Sequence, residues 1–301
     1  MAMKVEMLRC FCTVAQTGNL AEAASRLGRT QSAVSMMLKQ FEDHLGKKLF
    51  EGERKNHLSP LGQQVLDLAL KQVRDFDQTV QNIEMAAQAE HGLIRIVSVP
   101  SVGALVFPAL LGHMTSRFPG LKIELRDGDS QHVLDAVAGD KADIGIASGH
   151  HPLNGVSAEP LFQDRFGLVA ASDHPLMTRA KPPEICDLMA APFVRNALCD
   201  IIESSSFKKI LDRAEVTIHN THSLITTVRA GEWITVLPQT VAQFIPDAVA
   251  FRPISDLPDK REVYLYRRER ARFREITQTC CSYILTSGFG NAGLVQERVP
   301  D

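Results

Sequence analysis

The side chains of this chain that could do chemistry fall into two groups. Thr30, Gln31, Ser32, Ser35, Met36 and Lys39 follow one another at short, helix-compatible steps. On a helix those steps put them on one face. Amides and hydroxyls at the start of such a face match the donors and acceptors of base edges in a DNA major groove, and Lys39 is better placed for a phosphate. Arg54, Lys55 and His57 follow downstream and suit the DNA backbone or minor groove. The second group is dispersed: Ser101, Ser130, Ser148, Arg195, Asn196, and the run from Asn220 through Thr221 and His222 to Ser223. Each stands where a predicted strand ends or a helix begins. Ligands of α/β proteins bind there, and helix starts favour anions. Arg195 would add a charge-assisted bond. The plainer account of the serines, Thr221 and the asparagines is helix capping.

Two predicted helices and a turn must position the first group. Val5, Leu8, Phe11, Cys12 and Ala15 recur at helical spacing until Gly18. Asn19 then caps a second helix, with Glu22 completing a capping box, and Leu20, Ala23, Ala24 and Leu27 form its packing face. Gly28 and Arg29 turn the chain, Thr30 caps, and Gln31–Leu45 is a third helix with Val34, Leu38, Phe41 and Leu45 inward. This is a helix-turn-helix pattern. The segment GKKLFEGERKNHLSPLG, two apolar pieces around a charged turn, reads as a β-wing. A helical hairpin with a solvated polar face is the bland alternative, and the wing weighs against it.

From Pro60, Leu66, Ala69, Val73, Phe76, Val80, Ile83 and Ala87 form a heptad seam flanked by polar residues. A long helix with one narrow apolar seam calls for a partner helix, hence dimerisation. The alternative is a helix lying on its own domain. Beyond His91 and Gly92, strands and helices alternate, which predicts a parallel sheet with helical crossovers in two α/β lobes rather than an antiparallel body. The expected domains are 1–62, a linker helix over 63–91, a ligand-binding domain over 92–290, and a tail over 291–301. Within 92–290, lobe I covers about 92–163 and 267–290 and lobe II about 164–266.

Composition fits this division. The 301 residues carry 33 Lys and Arg against 35 Asp and Glu. The net charge of −2 hides a basic head, about +3 over residues 1–62, and an acidic remainder. No HExxH, GxSxG, Walker A, paired CxxC or dinucleotide fingerprint occurs, so no enzyme, metal or cofactor is expected. His150, His151, His219 and His222 read as surface or capping residues. The six cysteines are scattered and read as reduced thiols. No run approaches the roughly 18 apolar residues of a membrane span, and the start lacks a signal-peptide pattern. A cytoplasmic protein is expected.

The stretch from Phe11 to Gly62 resembles the helix-turn-helix and wing of LysR-type transcriptional regulators. The matching pieces are Ala23-Ala24, the Q-x-A-V-S of Gln31 to Ser35, Phe41-Glu42 through Leu49-Phe50, and Leu58-Ser59 with Gly62. RFPGLKIEL, GDKADIGIA, DHPL and VRAGEWITVLP are similar to the family's effector-binding half, which itself resembles periplasmic binding proteins. Ser32 stands where the family often has proline, the Met36-Met37 pair where a polar or basic residue is usual, and Gly52 where the wing has arginine. The resemblance implies a homo-oligomer, a dimer through the linker helix and a tetramer from two dimers. Its partners would be an interrupted inverted repeat of double-stranded DNA, RNA polymerase, and a small, carboxylate-bearing effector between the lobes. It also implies that Ser101 and Ser130 hold the effector carboxylate. Some relatives sense peroxide through a cysteine instead. Cys199, in a strand-to-helix loop near Arg195, would be that thiol if its pKa were lowered. The segment SSSFKKIL after it supplies no resolving cysteine.

Overall fold

The computed structural model describes residues 3–52, 55–87 and 92–288, with the backbone alone at 81, 82 and 85–87. The chain forms two compact units, Met1–Gln88 and Ala89–Asp301.

In the first unit, α1 (Val5–Thr17), α2 (Leu20–Leu27) and α3 (Gln31–Leu45) precede the long α4 (Pro60–Ala87). The Asn19 side chain accepts the N–H groups of Ala21 and Glu22 at the start of α2. Gly28 ends α2 in the left-handed region, φ 61°, which a residue without a Cβ enters freely. Ala23 and Ala24 are buried, and their small side chains let α2 lie close to its neighbours. Phe11 sits edge-on to both Phe41 and Phe50 at the centre of this core.

Among the described residues the wing shows an antiparallel bridge, Phe50 to Leu58, closed by the Glu51 N–H on the His57 carbonyl. Gly62 permits the first turn of α4 to press on it, because a Cβ there would stand 2.0 Å from the Leu49 carbonyl oxygen. Against α1, α4 buries Ala69 and half-buries Leu66, and an Arg9–Asp77 ion pair ties the two helices. The first part of the predicted seam is therefore occupied within the unit, as the alternative had it. Further along, Phe76 and Ile83 are exposed, and so is Leu68 off the seam.

The second unit contains β1 (Leu93–Ser98), α5 (Pro100–Arg117), β2 (Lys122–Asp127), α6 (Ser130–Ala138), β3 (Ile144–Ser148) and β4 (Val156–Ala171). Then come α7 (Pro175–Thr178), β5 (Val194–Arg195), α8 (Ser205–Leu211), β6 (Val216–Thr217), α9 (Thr221–Arg229), β7 (Thr235–Pro238), β8 (Val249–Pro253), β9 (Lys260–Arg268) and α10 (Arg274–Thr286). One seven-stranded sheet runs β2-β1-β3-β9-β4-β7, with β8 also on β4. β1 pairs in parallel with β2 and β3, and β5 with β6. Every pairing of β4 and β9 is antiparallel, which corrects the expectation of a parallel body. The reason is topological: the chain leaves one lobe along β4 and returns beside it along β9, so the two run in opposite directions.

Each lobe closes over its own core. Ile94, Ile96, Val106, Leu110, Ile144 and Ile284 belong to one; Phe166, Leu168, Leu188, Phe207, Ile234 and Val236 to the other. At about 1.5–3 kcal/mol per fully buried aliphatic or aromatic side chain, these clusters dominate the attraction within each lobe. No helix among the described residues is long and apolar enough to cross a membrane.

Candidate functional site

On α3, Val34, Leu38 and Phe41 face the core while Gln31, Ser32, Ser35, Met36 and Lys39 are exposed on the other side. Thr30 is exposed too, but its hydroxyl is engaged: it accepts the Ala33 N–H at 3.3 Å and lies 3.1 Å from the Ser32 hydroxyl. The far end of α3 is fixed by Glu42, buried, which accepts the Leu49 N–H and the Lys48 ammonium, each at 2.9 Å. Desolvation works to raise the Glu42 pKa. The Leu49 N–H, the Lys48 bond and the charges of Lys55 and Lys48 outweigh it and hold the pKa below the ordinary value. Lys55 reaches over the Phe50 ring, 5.5 Å from its centroid. Arg54 lies outside the described residues.

Between the lobes of the second unit lies a cleft of about 480 Å³. Ser101, Ser130, Ser148, Asn196 and Thr221 line it, so the structure brings five of the six predicted ligand residues together. Arg195 is the exception. Side chains alternate along a strand, and on β5 the inward position belongs to buried Val194 while Arg195 turns out to an ion pair with Asp200 at 2.6 Å.

The five differ in what they can offer. Asn196 is consumed by the protein: Oδ1 accepts the Leu198 N–H, and Nδ2 donates to the Thr235 hydroxyl and the Val236 carbonyl. Ser130 accepts the Ser148 N–H at 3.1 Å and keeps its own proton to donate. Ser101 accepts from Arg261 Nη1 at 2.8 Å and likewise retains a proton. Ser148 is buried, and its hydroxyl has no hydrogen-bond partner among the described residues. Thr221 opens α9 after Asn220, whose side chain caps it through the Ser223 N–H. The first-turn N–H groups of Ser101, Ser130, Gln131 and Thr221 have no intrahelical acceptor.

Behind Ser101 sits a network that sequence reasoning missed. Arg261 on β9 is fully buried and grips Asp164 on β4 with two bonds, 2.8 and 2.7 Å. It also donates to the Thr240 hydroxyl at 2.8 Å, while the Thr240 N–H reaches Asp164 at 3.2 Å. One guanidinium thus joins both crossover strands to Ser101 on α5 and to the short 3-10 helix Gln239–Gln243 of the other lobe. Asp127 and Asp129, also unforeseen as cleft residues, line the cavity. Their Asp-Gly-Asp spelling at a strand end was the available signal.

Cys199, the thiol of the redox alternative, is not set up in this arrangement as an exposed, acidic cysteine. It is buried in the second lobe, and desolvation pushes its pKa up to about 12, where a sensor needs it lowered. Among the described residues no group of three His, Cys, Asp or Glu could hold a metal ion.

A helix-turn-helix unit joined in one chain to a two-lobed α/β unit, with hydroxyls and apolar side chains lining the interlobe cleft, is the build of a ligand-responsive DNA-binding regulator. Comparison with known proteins agrees. Residues 5–63 match the family described as "Bacterial regulatory helix-turn-helix protein, lysR family", and residues 87–287 match "LysR substrate binding domain". The chain belongs to the LysR family of DNA-binding transcriptional regulators, with an effector-binding domain as its second part. It is 26% identical to the "Uncharacterized HTH-type transcriptional regulator YvbU" of Bacillus subtilis over 81% of this chain and 84% of the relative. It is likewise 26% identical to the "Probable hydrogen peroxide-inducible genes activator" of Streptomyces viridosporus, over 78% of each. Among solved structures, full-length CbnR complexed with its target DNA superposes with a TM-score of 0.65 at 19% identity, covering 92% of this chain and all of that one.

Proposed function

We propose that this regulator reads an interrupted inverted repeat with α3 and the wing, and that a small carboxylate-bearing effector in the interlobe cleft sets its activity. The reading takes 1–62 as the DNA-binding domain, 63–91 as the linker and 92–290 as the sensor, in a cytoplasmic homo-oligomer without catalytic activity. Gln31, Ser32 and Ser35 read bases, and Lys39, Arg54 and Lys55 meet phosphates; Met36 offers apolar contact to a thymine methyl. Dimerisation uses the exposed part of α4, two dimers make a tetramer, and RNA polymerase is the downstream partner.

The buried, unpartnered hydroxyl of Ser148 in the cleft wall carries the effector reading. A hydroxyl sealed from water without a partner costs about 1–3 kcal/mol, and a shift of the cleft wall that admits a ligand atom would supply the missing bond. The free N–H groups of three helix starts and the protons of Ser101 and Ser130 favour an anionic group beside it. Effector binding shifts the populations of two lobe arrangements and so the spacing of the DNA heads.

Selection of DNA from a random library by the full chain tests the first half. Enrichment of a two-fold symmetric, interrupted site is expected, and Gln31→Ala should relax its sequence preference. Equal losses on selected and random DNA would remove Gln31 from base reading, and no enrichment at all would sink the operator. The peroxide-inducible relative motivates a second reading in which oxidation is the signal. An oxidant response of the full chain that disappears in Cys199→Ser would favour it.

A further inference from the structure

The charge of the cleft narrows the class of effector, and this step rests on the cleft reading above. Among the described residues that line it there is no lysine or arginine, but there are two carboxylates, Asp127 and Asp129. They flank Gly128 where β2 hands over to α6. Asp129 caps α6, its Oδ1 accepting the His132 N–H at 2.7 Å, so its charge already answers that helix's dipole. Asp127 has no hydrogen-bond or ionic partner among the described residues. Its Oδ1 lies over the first turn of α5, 3.0 Å from where a Cβ on Gly103 would stand, so the missing side chain at 103 leaves the carboxylate its place. Open to solvent on one side, it is desolvated by the walls on the other, and that desolvation raises its pKa above the usual carboxylate value. A carboxylate in that position gains from a counter-cation. A plain monoanion or dianion would instead bring more negative charge beside two carboxylates, with His151 and His219 the only basic side chains among the described lining residues and no permanently charged Lys or Arg to offset it. Much of the remaining wall is apolar, including Leu134, Leu198, Ile201, Leu224 and Val241.

We propose that the effector is a zwitterion with an apolar body, the class of the aliphatic and aromatic amino acids. Its carboxylate meets the helix starts and hydroxyls at Ser101, Ser130 and Ser148, while its protonated amine sits against Asp127 and Asp129. The unpartnered Ser148 hydroxyl is the independent sign that this wall expects a ligand.

Calorimetric titration of the full chain tests this with matched probes. Each apolar amino acid, leucine for one, is compared with its amine-free acid and its carboxyl-free amine. At least one amino acid should bind about ten-fold or more tightly than either partner, as one added charge-assisted contact allows. Asp127→Asn should erase most of the advantage over the amine-free acid, whereas Asp173→Asn, exposed and off the cleft, should preserve it. An amine-free acid that binds as well as its amino acid, and better still in Asp127→Asn, overturns the zwitterion while leaving the cleft as the effector site. Absence of binding by any probe overturns both.

Discussion

Arg261 and Asp164 place opposite charges where water does not reach. Such a pair adds little net stability compared with apolar residues of the same size, but removing one member strands the other, at about 3–5 kcal/mol. Arg261→Met should therefore cost the second unit roughly that much, whereas Asp164→Leu with Arg261→Met should recover most of it. Chemical denaturation followed through Trp233, the single tryptophan and a member of that unit, measures both. A double variant as weak as the single one would mean that the bonds to Ser101 and Thr240, not the charge balance, hold this point together. Ser148→Ala has the reverse logic. Deleting a buried hydroxyl that has no partner should leave the denaturation midpoint unchanged or slightly raised, while the same change should weaken any cleft ligand that uses it.

The turn between α3 and the wing depends on one ionised side chain, and its pH dependence has a definite sign. The folded pKa of Glu42 is depressed, so its contribution is complete above the unfolded value of about 4.3 and fades as pH falls through the lower folded value. Glu42→Gln should destabilise the first unit at neutral pH and flatten its acid limb. The readout is the loss of helical circular dichroism that Trp233 fluorescence does not follow; an unchanged acid limb would show that other carboxylates govern it. Elements of this kind were largely legible in the sequence, because capping by Asn19 and Thr30 and the left-handed stop at Gly28 are decided by a few neighbouring residues. Arg195 was misplaced because a two-residue strand offers no alternation from which to read its facing. The Arg261–Asp164 pair spans 97 positions, and no local pattern announces it. The antiparallel course of β4 and β9 was hidden for the same reason, since it follows from where the chain returns and not from any single segment.

For the molecule as a whole, the exposed apolar residues of α4 are the test of assembly. Phe76 and Ile83 remain open although Ala69, earlier on the same helix, is buried at home. Phe76→Asp combined with Ile83→Asp should lower the sedimentation mass of the full chain by at least one step of oligomerisation and weaken operator binding, while leaving each unit folded. Unchanged mass would move the interface elsewhere. The hydrogen-bonded partnership of β4 with β9 has a consequence for the kind of message that can leave the cleft. Two separate tethers would let the lobes slide, tilt and swing independently. Two strands zipped edge to edge behave as one ribbon, soft to twist and bend but stiff to shear. Ligands of different shape then move the same dial by different amounts, so full and partial agonists and antagonists should fall on a single line when lobe angle is plotted against promoter output.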